Sequence, residues 1–303
     1  MPHIGGRTLS KVEPTTPGEP LDTLQMKKLV RKLEMDRASQ IKSEKLLFLT
    51  RCSLTDKECE ALGVAMTQLG PTQTEYLFFP TGHQEGGVGD LAAASVGEAL
   101  ARGMCPALGV IVLSEGQLTD RGMAALVKGA KRCPLRDLNL SKNLLADEGL
   151  AALVDVFLDG GCAELEKLDL SGDSCLKHAI SDKSFVRFAK AMAEGEIKLL
   201  DLKELNLQDT MIGDEGVSWL ATALRRGNLP RLENLYLMGC VDLTDKSAAA
   251  LADAIRARKK MPLLNDVRLG YTQVTKEGKE NIKQAARDKG QEISVTLELL
   301  NGE

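Results

Sequence analysis

The stretch Leu135-Arg136-Asp137-Leu138-Asn139-Leu140-Ser141-Lys142-Asn143-Leu144-Leu145-Ala146-Asp147-Glu148-Gly149-Leu150 recurs along the chain, and recurrence at this length constrains the fold more than any other feature. Leu138 and Leu140 alternate with Asn139, which predicts a short strand with one buried face. Asn143 falls where the chain leaves that strand, and its amide suits backbone groups that a turn strips of partners. Leu145 returns to the core, and Asp147 marks a helix start, as a cap or as a negative charge in the first turn. The helix then buries Leu150, Leu153 and Phe157, spaced three and four apart. One unit cannot cover its own apolar faces, so it needs a copy on each side.

The copies are present. Aligned on the second strand position they fall at Leu49, Phe79, Leu113, Leu140, Leu170, Leu207, Leu237 and Leu269, which makes eight units. The Asn143 position is Cys52, Gly82, Gly116, Asp173, Thr210, Cys240 and Thr272 in the others, small or polar throughout. Helix starts recur as Thr119-Asp120-Arg121-Gly122, Ser181-Asp182, Gly213-Asp214-Glu215-Gly216 and Thr244-Asp245. The step of 30 residues from Leu140 to Leu170 is at the long end for such units, which implies full helices outside the strands.

This Leu-x-x-Leu-x-Leu-x-x-Asn-x-Leu-x-Asp-x-Gly unit resembles the ribonuclease-inhibitor-like subclass of leucine-rich repeats, shared by ribonuclease inhibitor, the Ran GTPase-activating protein, tropomodulin and the sensor regions of cytosolic immune receptors. The resemblance covers roughly residues 44–290. It implies an α/β, right-handed leucine-rich-repeat solenoid: a horseshoe of about eight repeats with a parallel sheet on the concave face and helices on the convex face. Members of this subclass do different jobs on one scaffold, so function has to come from the surface.

The 303 residues, 43% of them hydrophobic, suffice for one continuous stack. Residues 1–20, with four of the ten prolines and no apolar run, read as a flexible leader, although early Arg7 and Lys11 leave organelle import open. Residues 21–303 form a single leucine-rich-repeat domain: a cap helix over 21–43, repeats over 44–290, and a capping strand over 291–303. In the cap, Met26, Leu29, Val30 and Leu33 make the apolar stripe that a terminal repeat needs, and Lys27, Lys28, Arg31 and Lys32 lie opposite. The alternative for that basic stripe is a membrane surface or a partner, but the adjacent repeat that the apolar stripe has to cover favours the cap. Ile293-Ser294-Val295-Thr296-Leu297 alternates as a last strand should.

Net charge is −4, which gives no pull toward nucleic acid or membrane, and no apolar segment reaches the roughly 18 residues that a membrane span requires. An aromatic content of 3% argues further against a nucleic-acid reader. Seven cysteines in scattered contexts point to reduced thiols and a cytoplasmic setting. The pairs Lys131-Arg132 and Arg225-Arg226, with Arg256, complement helix C-termini.

Chemistry is thin. His83 and His178 sit in the two longest strand-to-helix loops, both on one rim, but one histidine and Cys175 do not make a zinc site. The Gly86-Gly87-Val88-Gly89 cluster lacks the Gly-Lys-Ser/Thr of a phosphate loop. No nucleophile stands with a base in a known motif, so neither catalytic residues, metal, cofactor nor small-molecule substrate is expected.

The expected function is therefore that of a non-enzymatic protein–protein interaction scaffold, on its own or as a subunit of a larger assembly such as a cytoskeletal or axonemal one. Residues between the strand leucines face the concave side: Phe48, Phe78, Val112, Asn139, Asp169, Asn206, Tyr236 and Arg268. Arg51, Glu115, Lys142, Met238 and Tyr271 come next outward. The partner-binding set is Phe48, Phe78, Val112, Asp169, Asn206, Tyr236, Met238, Arg268 and Tyr271, with His83 and His178 from the rim; Tyr, Met and Arg are enriched at interfaces. For Phe48 and Phe78, contact with the leader or cap helix is an equal alternative. The alternative function is a GTPase-activating protein resembling the Ran activator. There Lys142 stands where that family has an acid, the Phe-Gly-Pro of its motif is missing, and the sequence after the last strand carries no acidic stretch.

Overall fold

The computed structural model describes residues 40–49, 55–79, 81, 88–172, 180–257 and 264–296. The expected leader, residues 21–39 of the cap, and the loops carrying His83 and His178 lie outside the described residues. Strand and helix alternate. Helix α1 (Gln40–Ser43) leads into β1 (Leu46–Phe48), followed by α2 (Asp56–Leu69), β2 (Tyr76–Phe78), α3 (Asp90–Ala101) and β3 (Val110–Val112). Next come α4 (Asp120–Ala130), β4 (Asp137–Asn139), α5 (Asp147–Leu158), β5 (Lys167–Asp169), α6 (Asp182–Glu194) and β6 (Glu204–Asn206). The described chain closes with α7 (Asp214–Arg226), β7 (Asn234–Tyr236), α8 (Asp245–Ala257), β8 (Asp266–Arg268), α9 (Lys276–Arg287) and β9 (Ser294–Thr296).

The strands pair in chain order, β1 to β9, all parallel and without a register slip. Their central residues, from Leu47, Leu77 and Ile111 to Val267 and Val295, form one buried row, and Leu49 through Leu269 form a second. Each buried leucine contributes about 1.5–3 kcal/mol through the water it leaves. Helices cover that side of the sheet, with Phe157 of α5 stacked 5.6 Å from Phe188 of α6 and Phe185 edge-on to Phe188 at 6.1 Å. Adjacent strands sit about 4.8 Å apart, whereas packed helices need about 8–10 Å, so the strand side is the inner, concave side of the solenoid.

Turns after the strands repeat as well. The ladder runs on past the strand ends: the N–H of Glu115 donates to the Ser141 carbonyl, that of Lys142 to Ser171, and that of Asp209 to Met238. At that position the backbone is left-handed in Glu115, Lys142, Asp209 and Tyr271, with φ between 53 and 56°, and in Gly239 at 77°. The bend turns the next residue inward. Asn143 Nδ2 thereby donates to the carbonyls of Leu113, Leu140 and Ser141, and its Oδ1 accepts from the Leu118 N–H, as the sequence position predicts. In later repeats Thr210 and Thr272 each donate a hydroxyl to the Leu207 and Leu269 carbonyls, a smaller version of the same closure.

The helix-start aspartates lie in the first turns of their own helices, as expected, but their carboxylates also serve the next helix. Asp147 does not cap its own helix; its carboxylate accepts from the N–H and Oγ of Ser181 and from Ser184 Oγ, at the start of α6. The same reach to the following helix recurs from Asp56 to Gly89 and Ala92, Asp90 to Thr119 and Gly122, Asp120 to Ala146, Asp182 to Gly213 and Gly216, Asp214 to Thr244 and Ser247, and Asp245 to Thr275. Helix α9 begins with Lys276 instead, and no further helix stacks on it among the described residues. The glycine of the Asp-x-Gly motif follows from this: a Cβ on Gly122 would stand 2.3 Å from Asp90 Oδ1, and one on Gly216 2.5 Å from Asp182 Oδ1. Where the residue is Ser184 or Ser247, its hydroxyl donates to the carboxylate.

The cysteines are less scattered than their spacing implies. Cys105, Cys133 and Cys162 occupy the helix-to-strand turns of three successive repeats, Cys133 Sγ lying 3.9 Å from the Cys105 carbonyl. Burial pushes the Cys133 thiol up to about 12 and those of Cys105, Cys162 and Cys240 to about 11.

Burial alone would raise the Asp214 carboxyl, but the donors from Ser247 and Thr244 outweigh it and hold the group below its ordinary value; Asp147 behaves likewise through Ser181 and Ser184. A lowered carboxyl stabilises the fold above its unfolded value of about 3.9, and that stability disappears as pH falls through the folded value. Asp214→Ala is expected to lower urea stability at pH 7 by about 1.5–3 kcal/mol. The gap from the parent should start to shrink as pH falls below about 3.9 and go on shrinking as pH passes through the lowered value of the folded Asp214 carboxyl.

Candidate binding face

Strand residues flanking the buried central row point to the side away from the helices, Phe48 being placed by its backbone register alone, so the exposed sheet face carries two rows. One row is the expected set, in strand order Phe48, Phe78, Val112, Asn139, Asp169, Asn206, Tyr236 and Arg268, paired one to the next. The other was missed by sequence reasoning: Leu46, Tyr76, Val110, Asp137, Lys167, Glu204, Asn234 and Asp266. The signal for it was the same alternation, since the residue before a buried strand leucine faces the same way as the residue after it.

The face divides into three parts. At its N-terminal end Phe78, Val110 and Val112 are half-buried while Leu46 and Tyr76 are 50% and 36% exposed; Phe48 holds its place in the ladder with Phe78. In the middle the polar side chains brace the strand exits. Asp169 Oδ1 accepts from the N–H and Oγ of Ser171 at 2.9 and 2.7 Å, and Asn139 Oδ1 from those of Ser141 at 3.0 and 2.7 Å. Asn206 joins them, its Nδ2 donating to Asp169 Oδ2 at 3.0 Å. At the C-terminal end the Arg268 guanidinium lies 4.4 Å from the centre of the Tyr236 ring, and its Nε donates to Asp266 Oδ2 at 3.0 Å. Asp266 Oδ1 is buried without a hydrogen-bond partner among the described residues.

Two expected members of the set sit differently from one another. Met238 is the residue just before the left-handed position, which Gly239 occupies, whereas Tyr271 is itself left-handed at φ 56° and 42% exposed. The two therefore belong to different rows of the turn. Beyond them lie Met211 and Val241, 52% and 49% exposed, at matching positions of adjacent repeats on the strand-to-helix rim. Glu115 and Lys142 are joined at 2.7 Å, an exposed pair that contributes little. Lys131 pairs with Asp159 at 2.8 Å, and Arg226 Nη1 donates to the Ala193 carbonyl at the end of α6, so these cations tie neighbouring repeats together. On the opposite, helical side a groove of about 310 Å³ between α7 and α8 is lined by Trp219, Asp214, Glu215 and Lys246.

Electrostatics sharpen the middle of the face. Burial raises the Asp137 carboxyl; Lys167 opposes this, while Glu204 and Asp169 add to it. The Tyr236 hydroxyl is likewise raised by burial and by Glu204, against Arg268. A raised carboxyl binds its proton more tightly in the folded chain, so its charged form weakens the fold as pH rises past about 3.9. Asp137→Asn should therefore raise the thermal midpoint at pH 7 and leave it unchanged near pH 3, a difference that scanning calorimetry at the two pH values measures.

The family described as Leucine Rich repeat matches residues 132–154 and 199–221. Ribonuclease inhibitor from Sus scrofa is 30% identical over 193 residues, covering 63% of this chain and 38% of that protein. Ribonuclease inhibitor from Mus musculus is 26% identical over 234 residues, 75% of this chain and 45% of that protein. The chain thus spans less than half the length of these curated relatives. The crystal structure of the Rad7 and Elc1 complex in yeast is similar over 77% of this chain and 58% of that one, with a TM-score of 0.47 and 16% identity. Strand–helix units stacked in register and their leucine pattern make the chain a leucine-rich-repeat solenoid, similar in sequence to the ribonuclease inhibitors.

Proposed function

We propose that this chain is a non-enzymatic scaffold that holds a protein partner on the open sheet face and the adjoining strand-to-helix loops. The observation that carries the reading is the Tyr236–Arg268–Asp266 cluster. An arginine stacked on a tyrosine and anchored by a carboxylate is pre-ordered, so little side-chain entropy is lost on docking, and Tyr and Arg dominate interface hot spots.

The topology supports the same reading. Parallel sheets occur almost always with both faces covered, because their crossover connections lay helices on both faces. Among the described residues helices cover one face only, and the other presents Leu46, Tyr76 and Tyr236 to solvent. The curated relatives are named for inhibiting ribonucleases, a protein target, which supports a protein as the class of partner here. The thiols of Cys105, Cys133, Cys162 and Cys240, raised to about 11 or 12, are protonated at neutral pH and are poor nucleophiles, which supports a non-catalytic role.

The test is cross-linking mass spectrometry on the full chain in native lysate, beside Tyr236→Ala combined with Arg268→Ala. The wild type should cross-link to a defined protein through the sheet face, and the double variant should lose about 2 kcal/mol or more of binding, roughly 30-fold, while melting normally. Leu140→Ala serves as contrast, losing about 2–5 kcal/mol of fold stability as a core cavity. Partners that map to the helical side and ignore the double variant would refute the proposal.

A further inference from the structure

The open face changes chemistry along its length. Its outward residues in β1 to β3 include Leu46, Tyr76, Phe78, Val110 and Val112, with no charge among them, and Leu46 is 50% exposed. In the next three strands the same two rows bring Asp137, Asp169 and Glu204, with Lys167 as the sole cation in those rows from β1 to β7. An exposed apolar strip thus abuts a negatively charged one with no break in register.

Resting on the reading that this face binds a protein, we infer that its occupant is a segment of a protein partner with hydrophobic side chains over β1–β3 and lysine or arginine side chains over β4–β6. Hydrophobic side chains would cover Leu46 and Tyr76, which a parallel sheet otherwise leaves bare to water. Cations over the middle would meet carboxylates that repel one another: Asp137 is held uncomfortably by burial and by Glu204 and Asp169, and one lysine does not balance the three. From β2 to β5 is three strand spacings, about 14 Å, so the apolar and basic groups of the segment stand about that far apart. That is roughly ten residues of helix at about 1.5 Å each.

The probe is a fluorescein-labelled 16-residue synthetic peptide with leucines at helical spacing in one half and lysines in the other. Two controls replace the lysines by glutamate or the leucines by serine. Anisotropy titrations on the full chain should show the leucine–lysine peptide binding at least tenfold more tightly than either control. Leu46→Ser with Tyr76→Ser should weaken it at least tenfold, as should Asp137→Asn with Glu204→Gln, and added salt should weaken it further. All four substitutions are on the solvent side of the sheet, and a cooperative melt no lower than that of the parent confirms the fold.

If the glutamate peptide binds equally well and still responds to Leu46→Ser with Tyr76→Ser, the face binds proteins but the basic occupant is refuted. If no peptide responds to either pair of substitutions while the Tyr236/Arg268 variant still loses its cross-linked partner, the inference falls and the scaffold reading stands. If neither experiment responds, both fall. If the leucine–lysine peptide binds only after residues 1–39 are deleted, the strip is filled by this chain's own N-terminal segment and the partner assignment is overturned.

Discussion

A carboxylate at the start of one helix, reaching to the start of the next, is the contact on which the stack depends. The first turn of any helix leaves four N–H groups without partners inside it, and three of these helices begin after Gly89, Ala146 or Gly213, residues that offer no side-chain cap. Asp56, Asp120 and Asp182 of the preceding repeat supply the missing acceptors. Each repeat therefore completes its neighbour, and the energy resides in the junction between units, as expected of a quasi-one-dimensional fold. The small residue two places after each aspartate from Asp90 to Asp245 follows from this, because the preceding repeat's carboxylate occupies the space where a larger side chain would stand.

Stacking in this way also settles which surface is left over. Helices and their aspartates take one side of the sheet, the turn amides and Asn143 close the strand exits, and the other side has no structural task along most of its length. Its side chains are free to diverge in chemistry while the buried rows stay leucine. That separation accounts for an apolar end at Leu46 and Tyr76, a carboxylate-rich middle at Asp137 and Glu204, and a Tyr236–Arg268 pair at the far end, all on one continuous ladder. Some middle residues serve both purposes: Asp169 and Asn139 point outward yet spend their oxygens on Ser171 and Ser141.

Strand register was legible in the sequence because a buried leucine every second residue admits one alignment, and the outward row from Phe48 to Arg268 emerged as expected. The parallel row from Leu46 to Asp266 was passed over because it sits at the seam between a helix-to-strand turn and the first buried leucine, where the alternation has only just begun. The role of Asp147 was not legible for a different reason. Its partners Ser181 and Ser184 are 34 and 37 residues away, and a local capping rule assigns an aspartate to the helix it begins. Met238 and Tyr271 were placed together because Gly239, the left-handed residue of its turn, carries no side chain to mark the offset.

The most direct test of the junction as the source of order is native-state hydrogen exchange at the capped amides. Gly89, Thr119, Ala146, Ser181, Gly213, Thr244 and Thr275 all lie outside regular helix hydrogen bonding, at exposed or half-buried loop positions for the most part, yet each donates to an aspartate of the previous repeat. Their protection should match that of the strand amides Leu140 and Leu207 within a factor of about ten, opening only with the repeats themselves. Exchange at the rate of unprotected loop amides, with the strands still protected, would show that the leucine core alone holds the stack and that the carboxylate junctions do not.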